Sequence, residues 1–332
     1  MTGSDRADHS GGLVALDAIQ AARARIAPLA RLTPVVAASS DPAWAHLRLK
    51  CESLQLGGAF KLRGALNFVG QMDPEAAGRG VVTFSSGNHG QALAIAARHF
   101  GIQATVVMPT TAPSVKVDGA RRFGADVRFA GTTSIDRQRA AATLAAERGL
   151  AVVPPFDHAH IIAGQGTAGI EILEQCAGVS AVYVPVGGGG LISGIAAAVR
   201  RMAPGVRVVG VEPAGADKMT RSLAAGAPVS LERSASIADG LLALRPGDLT
   251  FAHVSALVDQ VVTVTDDEIR AAMRFLAAHA KLVAEPSGAA SVAGAMRLAP
   301  AGAGGVHVAV VSGGNVSAEV WTEMFQTAGG GV

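Results

Sequence analysis

Cysteine is close to absent from this chain. Cys51 and Cys176 are the only two thiols in 332 residues, which excludes a disulfide framework and any cysteine-based metal spacing. Both are read as buried thiols. Long apolar runs are also missing, since no uninterrupted stretch is long enough to span a bilayer. Residues 1–12 are polar and glycine-containing and lack the apolar core of a signal peptide. A soluble cytoplasmic protein with no membrane partner is expected. Charge of one sign is scarce too. Lys+Arg 28 against Asp+Glu 26 leaves a net charge of +2, and like charges do not cluster in runs. That balance excludes the concentrated basic face of a nucleic-acid binder. What the chain does have is apolar mass. With 49% hydrophobic and 16% charged residues, it can bury a sizeable core as two domains or one large α/β unit.

Periodicity places the elements. Leu13 to Ala27 has apolar positions at helical spacing, stopped by Pro28. Leu47 to Cys51 alternates as a strand. From Val81 the pattern repeats: strands at 81–84, 104–108, 126–129 and 151–153 alternate with helices at 90–98, 115–123 and 134–148. The second half continues with helices at 166–176, 192–202, 218–224, 266–280 and 287–298. Its strands fall at 181–185, 206–211, 261–264 and 306–311. Strands alternating with helices of this length predict parallel sheets covered on both faces.

Four stretches carry chemistry. In Gly57-Gly58-Ala59-Phe60-Lys61-Leu62-Arg63-Gly64-Ala65 a lysine sits in an apolar neighbourhood between an aromatic residue and a helix-like run, with Arg63 to Val69 reading as its helix. Burial there disfavours the ammonium and makes the amine a nucleophile towards carbonyls. Pro185-Val186-Gly187-Gly188-Gly189-Gly190-Leu191 follows a strand and opens a helix, the composition of a phosphate cradle. It lacks the lysine and hydroxyl of a nucleotide P-loop and the spacing of a dinucleotide fingerprint. Ser85-Ser86-Gly87-Asn88-His89-Gly90 could hold a carboxylate, with a serine moving a proton, or could simply cap the next helix. Ser312-Gly313-Gly314-Asn315 closes the last strand; its hydroxyl suits a neutral pyridine nitrogen, and the bare alternative is a turn. Lysine, phosphate cradle and pyridine partner together are what pyridoxal phosphate needs. Glu285-Pro286-Ser287-Gly288 supplies a carboxylate or starts a helix. His158, His160 and Asp157 form no ligand-spaced set.

Taken together, these stretches resemble the fold type II pyridoxal phosphate enzymes, in the branch of serine/threonine dehydratases (threonine ammonia-lyases) and serine racemases. The matching pieces also include Gly164-Gln165-Gly166-Thr167 and Ile237-Ala238-Asp239-Gly240, and all occur in the family's order. The resemblance implies an α/β fold like that of the tryptophan synthase β chain, with the cofactor between two domains. Residues 72–157 would form a small mobile domain, and 1–71 with 158–332 the large one. Lys61 would bind the cofactor aldehyde and move the substrate's α-proton. Phe60 would pack beside the ring, Gly187, Gly188, Gly189, Gly190 and Leu191 would hold the phosphate, and Gly240 would line the cofactor. Asn88 would contact the ring hydroxyl and Ser312 the nitrogen. Ser85, Ser86, Asn88 and His89 would hold the substrate carboxylate, with Ser86 on the face opposite Lys61.

The implied reaction is β-elimination of water from L-threonine or L-serine, giving a 2-oxo acid and ammonia. Serine racemase is the alternative that Ser86 supports. A third reading is 3-hydroxyaspartate dehydratase, in which Arg137 pairs with a second carboxylate; the other reading of Arg137 is a solvated helix residue. A non-catalytic cofactor-binding protein is the rival of another class. A homodimer acting on a small hydroxy amino acid is expected. Two departures from the branch stand out. Glu212 and the Ala216 carbonyl match its divalent-cation site, but Lys218 falls where a carboxylate belongs. The ammonium is expected to replace the cation, with Asp217 a ligand only by a one-residue shift. The chain also ends soon after Ser312, so a regulatory domain and feedback by isoleucine are not expected.

Overall fold

The strands sort into two sheets. The computed structural model describes residues 12–85, 87–112 and 114–325. In chain order the strands are β1 (Val35–Ala37), β2 (Leu47–Lys50), β3 (Val81–Phe84), β4 (Ala104–Met108) and β5 (Asp126–Phe129). They continue with β6 (Ala151–Val152), β7 (Val179–Pro185), β8 (Arg207–Pro213), β9 (Gln260–Val264) and β10 (Val306–Val310). Six of them form one sheet in the order β1-β2-β10-β7-β8-β9, and four form another in the order β5-β4-β3-β6. Every pair is parallel except β1 with β2 at the edge. Parallel strands need helical crossovers and bury both faces, so β7 and β8 read as near-continuous valine runs.

The smaller sheet comes wholly from residues 81–152. One face packs on the helices Lys61–Val69 and Asn88–His99, and the other packs on Ser134–Arg148. The larger sheet is covered by Asp266–Phe275 and Pro286–Leu298 on one face and by Gly190–Met202 on the other. The last strand, β10, inserts between β2 and β7, with Val308 opposite Arg48 on one side and Val182 on the other. That insertion brings the 312–315 turn beside the start of the Lys61 helix, where Phe60 N–H donates to Ser312 O at 3.0 Å.

Glycines set how closely three helices approach. A Cβ on Gly164 would stand 2.5 Å from Arg63 O, and one on Gly194 would stand 2.3 Å from Ile162 O. Helix Ala159–Gln175 therefore touches Lys61–Val69 on one side and Gly190–Met202 on the other, backbone against backbone. Gln165 Oε1 accepts from Gly64 N–H at 3.2 Å across the first crossing.

Several elements differ from the sequence reading. Helix Ala159–Gln175 starts well before Gly166, because its glycines are crossing points rather than breaks. Helix Asn88–His99 begins at Asn88, so Asn88 and His89 are helical. The predicted helix 266–280 changes to a π turn over Leu276–Ala280 and ends at Lys281 with φ +57°. Helices Pro74–Arg79, Asp248–Leu257 and Ala318–Phe325 are seen only in the structure. Cys51 is buried, and burial pushes its thiol up to about 12, whereas Cys176 is only half-buried. No helix among the described residues is long and apolar enough to cross a membrane.

The crossings make a prediction. Gly194→Ala should lower unfolding free energy by about 1–3 kcal/mol, because the backbone it meets cannot move aside. Gly205→Ala, where nothing lies within 4 Å, should change it by less than about 0.5 kcal/mol. Urea unfolding of the two variants checks this; equal effects would mean that the helices slide to accommodate the methyl.

Candidate active site

Parallel strands gather their loops at their carboxyl ends, and a crevice opens there. The loops after β3, β6, β7 and β10 meet around a cavity of about 600 Å³. Phe60, Lys61, Ser85, Asn88, His89, Arg137, Gly187, Gly188, Gly189, Gly190, Leu191, Gly240 and Ser312 all line it. Residues from six separate stretches thus share one cavity. Ser86 lies outside the described residues.

Lys61 is the first residue of its helix, and its Nζ donates to Pro155 O at 2.6 Å. The ammonium also lies 5.1 Å from the centroid of the Phe60 ring. No carboxylate partners it among the described residues, and burial pushes its pKa down to about 8. At pH 7 roughly one Lys61 in ten is then free base, against about one in three thousand for an ordinary lysine.

The glycine run is shaped by its neighbours. Gly189 takes φ +99° as N-cap of helix Gly190–Met202. A Cβ on Gly188 would stand 2.3 Å from the Phe156 ring, and one on Gly187 would stand 3.1 Å from Gly240 O. Thr250 Oγ1 donates to Gly188 O at 2.6 Å and fixes the turn from behind. The helix's first amides have no intrahelical acceptors, and Gly189, Gly190 and Leu191, which bear three of them, line the cavity. An anion therefore fits here on backbone N–H groups and the helix dipole. Gly240 N–H donates to Ser287 Oγ at 2.8 Å, which ties the Asp239–Leu241 turn to helix Pro286–Leu298.

Ser85 Oγ accepts from Gly87 N–H at 3.2 Å, and helix Asn88–His99 has no side-chain cap. Asn88 spans to the large sheet, accepting from Asn315 Nδ2 at 2.8 Å and donating to Glu285 Oε1 at 2.6 Å. Glu285 both starts its helix and faces the cavity, so the two sequence readings coexist. Burial first, then the nearby Asp239 charge, pushes it up to about 8. His89 donates from Nε2 to Val153 O at 3.1 Å, and burial beside the Lys61 charge pushes it down to about 3. It is therefore a neutral imidazole with Nδ1 left as an acceptor. Ser312 is buried at the end of β10, its Oγ 3.5 Å from Ser287 O. Arg137 reaches the cavity from helix Ser134–Arg148.

Lys218 is fully buried. Its Nζ donates to the backbone oxygens of Val186 at 2.9 Å, Ala216 at 3.0 Å and Leu241 at 3.1 Å, and lies 3.3 Å from Glu212 Oε2. Glu212 also accepts from Met219 N–H and Thr220 N–H. Asp217 turns outward to Arg221 at 2.9 Å. The ammonium thus sits among four oxygens immediately behind Gly187 and Gly240. Asp157, next to His158, caps helix Asp248–Leu257 through the amides of Asp248 and Thr250. No group of three metal-ligating side chains occurs among the described residues.

Sequence reasoning missed Thr250 and Phe156, and it gave Lys116 and, within its own stretch, Asn315 no role. Their partners lie 32 to 258 positions away along the chain, where no local pattern reveals them.

Comparison with known proteins agrees with this geometry. The chain is 39% identical over 333 residues to serine racemase of Oryza sativa subsp. indica, covering 98% of both. It is 40% identical to L-threo-3-hydroxyaspartate ammonia-lyase of Saccharomyces cerevisiae, over 88% of this chain and 90% of that one. Its fold matches threonine deaminase isoform 2 of Solanum lycopersicum with a TM-score of 0.88 at 36% identity, covering 96% of each chain. The model of the pyridoxal-phosphate dependent enzyme family matches residues 26–313. With a family model matched over most of its length and a relative 39% identical over 98% of it, the chain belongs to the pyridoxal-phosphate dependent enzymes.

Proposed function

We propose that the protein removes water from L-threonine or L-serine to give a 2-oxo acid and ammonia. The observation that carries this reading is the convergence of Lys61, the Gly187–Leu191 cradle and Ser312 on one cavity. Bound pyridoxal phosphate supplies the electron sink that acidifies the substrate's α-proton. Gly187 to Leu191 would hold its phosphate, Asn88 and Ser312 would orient its ring, and Phe60 would pack beside it. Ser312 offers a hydroxyl where a carboxylate would keep the ring nitrogen protonated, which favours elimination over transamination. Lys61 Nζ, with its lowered proton affinity, removes the proton from the substrate's α-carbon. Ser85, Ser86, Asn88 and His89 would hold the substrate carboxylate. The β-hydroxyl then leaves as water with the proton that Lys61 Nζ took up, and the enamine product adds a second water and hydrolyses to the oxo acid and ammonia.

Arg137 on the cavity wall supports a second substrate, 3-hydroxyaspartate, whose extra carboxylate a guanidinium binds bidentately. The likeness to rice serine racemase supports racemisation as a companion activity. Residues 72–157 would close over the substrate and exclude water. We extend the reading to a homodimer, testable by sedimentation, and to the cytoplasm, where free thiols persist.

Proton NMR in D₂O with L-serine, D-serine, L-threonine and 3-hydroxyaspartate separates these activities. Fast oxo acid from L-threonine with little α-exchange in recovered substrate is the expected result. Deuterated serine of both hands would make racemisation the main activity, and no turnover of any of the four would sink the proposal. Arg137→Ala should abolish turnover of 3-hydroxyaspartate while leaving that of threonine. Capture of pyridoxal phosphate by the apoprotein, followed by visible absorbance, should speed up from pH 6 to a plateau above about 8, because the free amine is the reacting form. A pH-independent rate would contradict the lowered pKa. Activity should survive chelators, because Lys218 already fills the oxygen cage beside Glu212. Lys218→Met should loosen pyridoxal phosphate at least tenfold. Restoration of a chelated enzyme by Mg²⁺ would overturn this assignment.

A further inference from the structure

Helix Ser114–Arg122 belongs to the unit built on the smaller sheet, and it points Lys116 at the cavity. The Lys116 ammonium is paired with the carboxylate of Asp239, which stands on the Asp239–Leu241 turn of the larger unit. The Lys116 side chain is 21% exposed and that of Asp239 is 54% exposed. The pair therefore sits at the cavity mouth, in contact with water, and not in the core. Lys116 also overhangs the loop after β3, since a Cβ on Gly87 would stand 3.8 Å from its Nζ. The ammonium thus stands beside Gly87 while paired with the turn carrying Gly240 on the opposite wall, and its helix packs on Asn88–His99 where Gly119 meets Gln91. Both charges register at Glu285 on the cavity floor: that of Asp239 raises its proton affinity and that of Lys116 lowers it.

We propose that Lys116 is a positioning residue that, latched to Asp239 across the cavity mouth, holds Gly87 and the start of helix Asn88–His99 against the larger unit in the arrangement that binds the amino-acid substrate. The latch forms only when the two units are together. Losing it depletes the binding-competent population and weakens apparent affinity by that same factor. The chemistry at Lys61, once substrate is held, proceeds as before. The proposal rests on the substrate being an amino acid held at this loop. It does not depend on which hydroxy amino acid is turned over.

The test uses the holoenzyme and the variants K116M, K116R, D239N and K116M/D239N, with visible spectra as a check that each has folded and holds pyridoxal phosphate. K116M and D239N should each raise KM at least fivefold while kcat changes by less than twofold. The spectroscopic Kd for amino-acid binding should rise in parallel. The double variant should be no worse than either single one, and K116R should recover most of the affinity. Raising salt from 0.05 to 0.5 M, chosen to screen an exposed pair, should raise KM of the parent and leave that of the double variant unmoved. Unchanged KM in both single variants would overturn the latch. So would additive losses, or a lower KM in D239N, which would make Asp239 a competitor of the substrate for Lys116. If the D₂O panel shows no turnover, the amino-acid titration still reads the latch, so the two failures are distinguishable.

Discussion

The distance between Lys61 and the glycine cradle depends on three helices meeting without side chains between them. Gly64 and Gly164 bring Lys61–Val69 onto Ala159–Gln175, and Gly166 and Gly194 bring the latter onto Gly190–Met202. Side chains between helices can repack, whereas backbone in contact with backbone has no such freedom. Lys61 at the start of one helix and the glycine run at the start of another are therefore held in place by close backbone packing. The Gly164-Gln165-Gly166-Thr167 stretch acts at the back of the site, through packing, and does not line the cavity.

The same helix is anchored by charge. Arg63 is fully buried two residues after Lys61 and binds Glu52 at 2.8 Å and Glu171 at 2.6 Å. Glu171 also holds the buried Lys50 at 2.6 Å, and Thr167 Oγ1 accepts from Arg63 at 3.0 Å. Two cations and two carboxylates make a neutral cluster. Burial raises the proton affinity of Glu52, but the Arg63 charge and hydrogen bonds together outweigh that and hold its pKa below the usual carboxylate range. Losing one partner of such a cluster strands a buried charge, at a cost of about 3–5 kcal/mol. The cluster contributes most by fixing direction. It pins the Lys61 helix to β2 and to helix Ala159–Gln175 at once.

How much of this was legible in the sequence depended on whether the cause was local. The strand-to-helix turns and the lysine just ahead of a helix were legible because such boundaries leave signs within a few residues. The glycine run looked like room for an anion, but Gly189 is also required by its φ of +99°, Gly188 by Phe156 and Gly187 by Gly240. The start of helix Ala159–Gln175 was hidden because glycines that serve as helix crossings look, in one dimension, like helix breaks. Lys116 and Asp239 meet 123 positions apart, and nothing near either residue predicts the other. Glu285 was seen as a candidate, yet its raised proton affinity comes from burial and from Asp239, which a sequence does not reveal.

A chain of hydrogen bonds also fixes which way Asn88 faces. Gly57 O can only accept, so the Asn315 group 2.8 Å from it must be the amide nitrogen. That nitrogen donates again to Asn88 at 2.8 Å, so Asn88 must offer its oxygen there and its nitrogen to Glu285. A donor approaching Glu285 is compatible with either protonation state, and at neutral pH the acid form dominates because its pKa is about 8. His89 is neutral as well, its pKa being about 3. The described cavity wall around Lys61 therefore presents a neutral acid, a neutral imidazole and an oriented amide. Lys61 and Glu285 both titrate at about 8, whereas His89, at about 3, takes up no proton near neutral pH. Burial is the first cause of all three shifts: it acts alone on Lys61, with the Asp239 charge on Glu285 and with the Lys61 charge on His89.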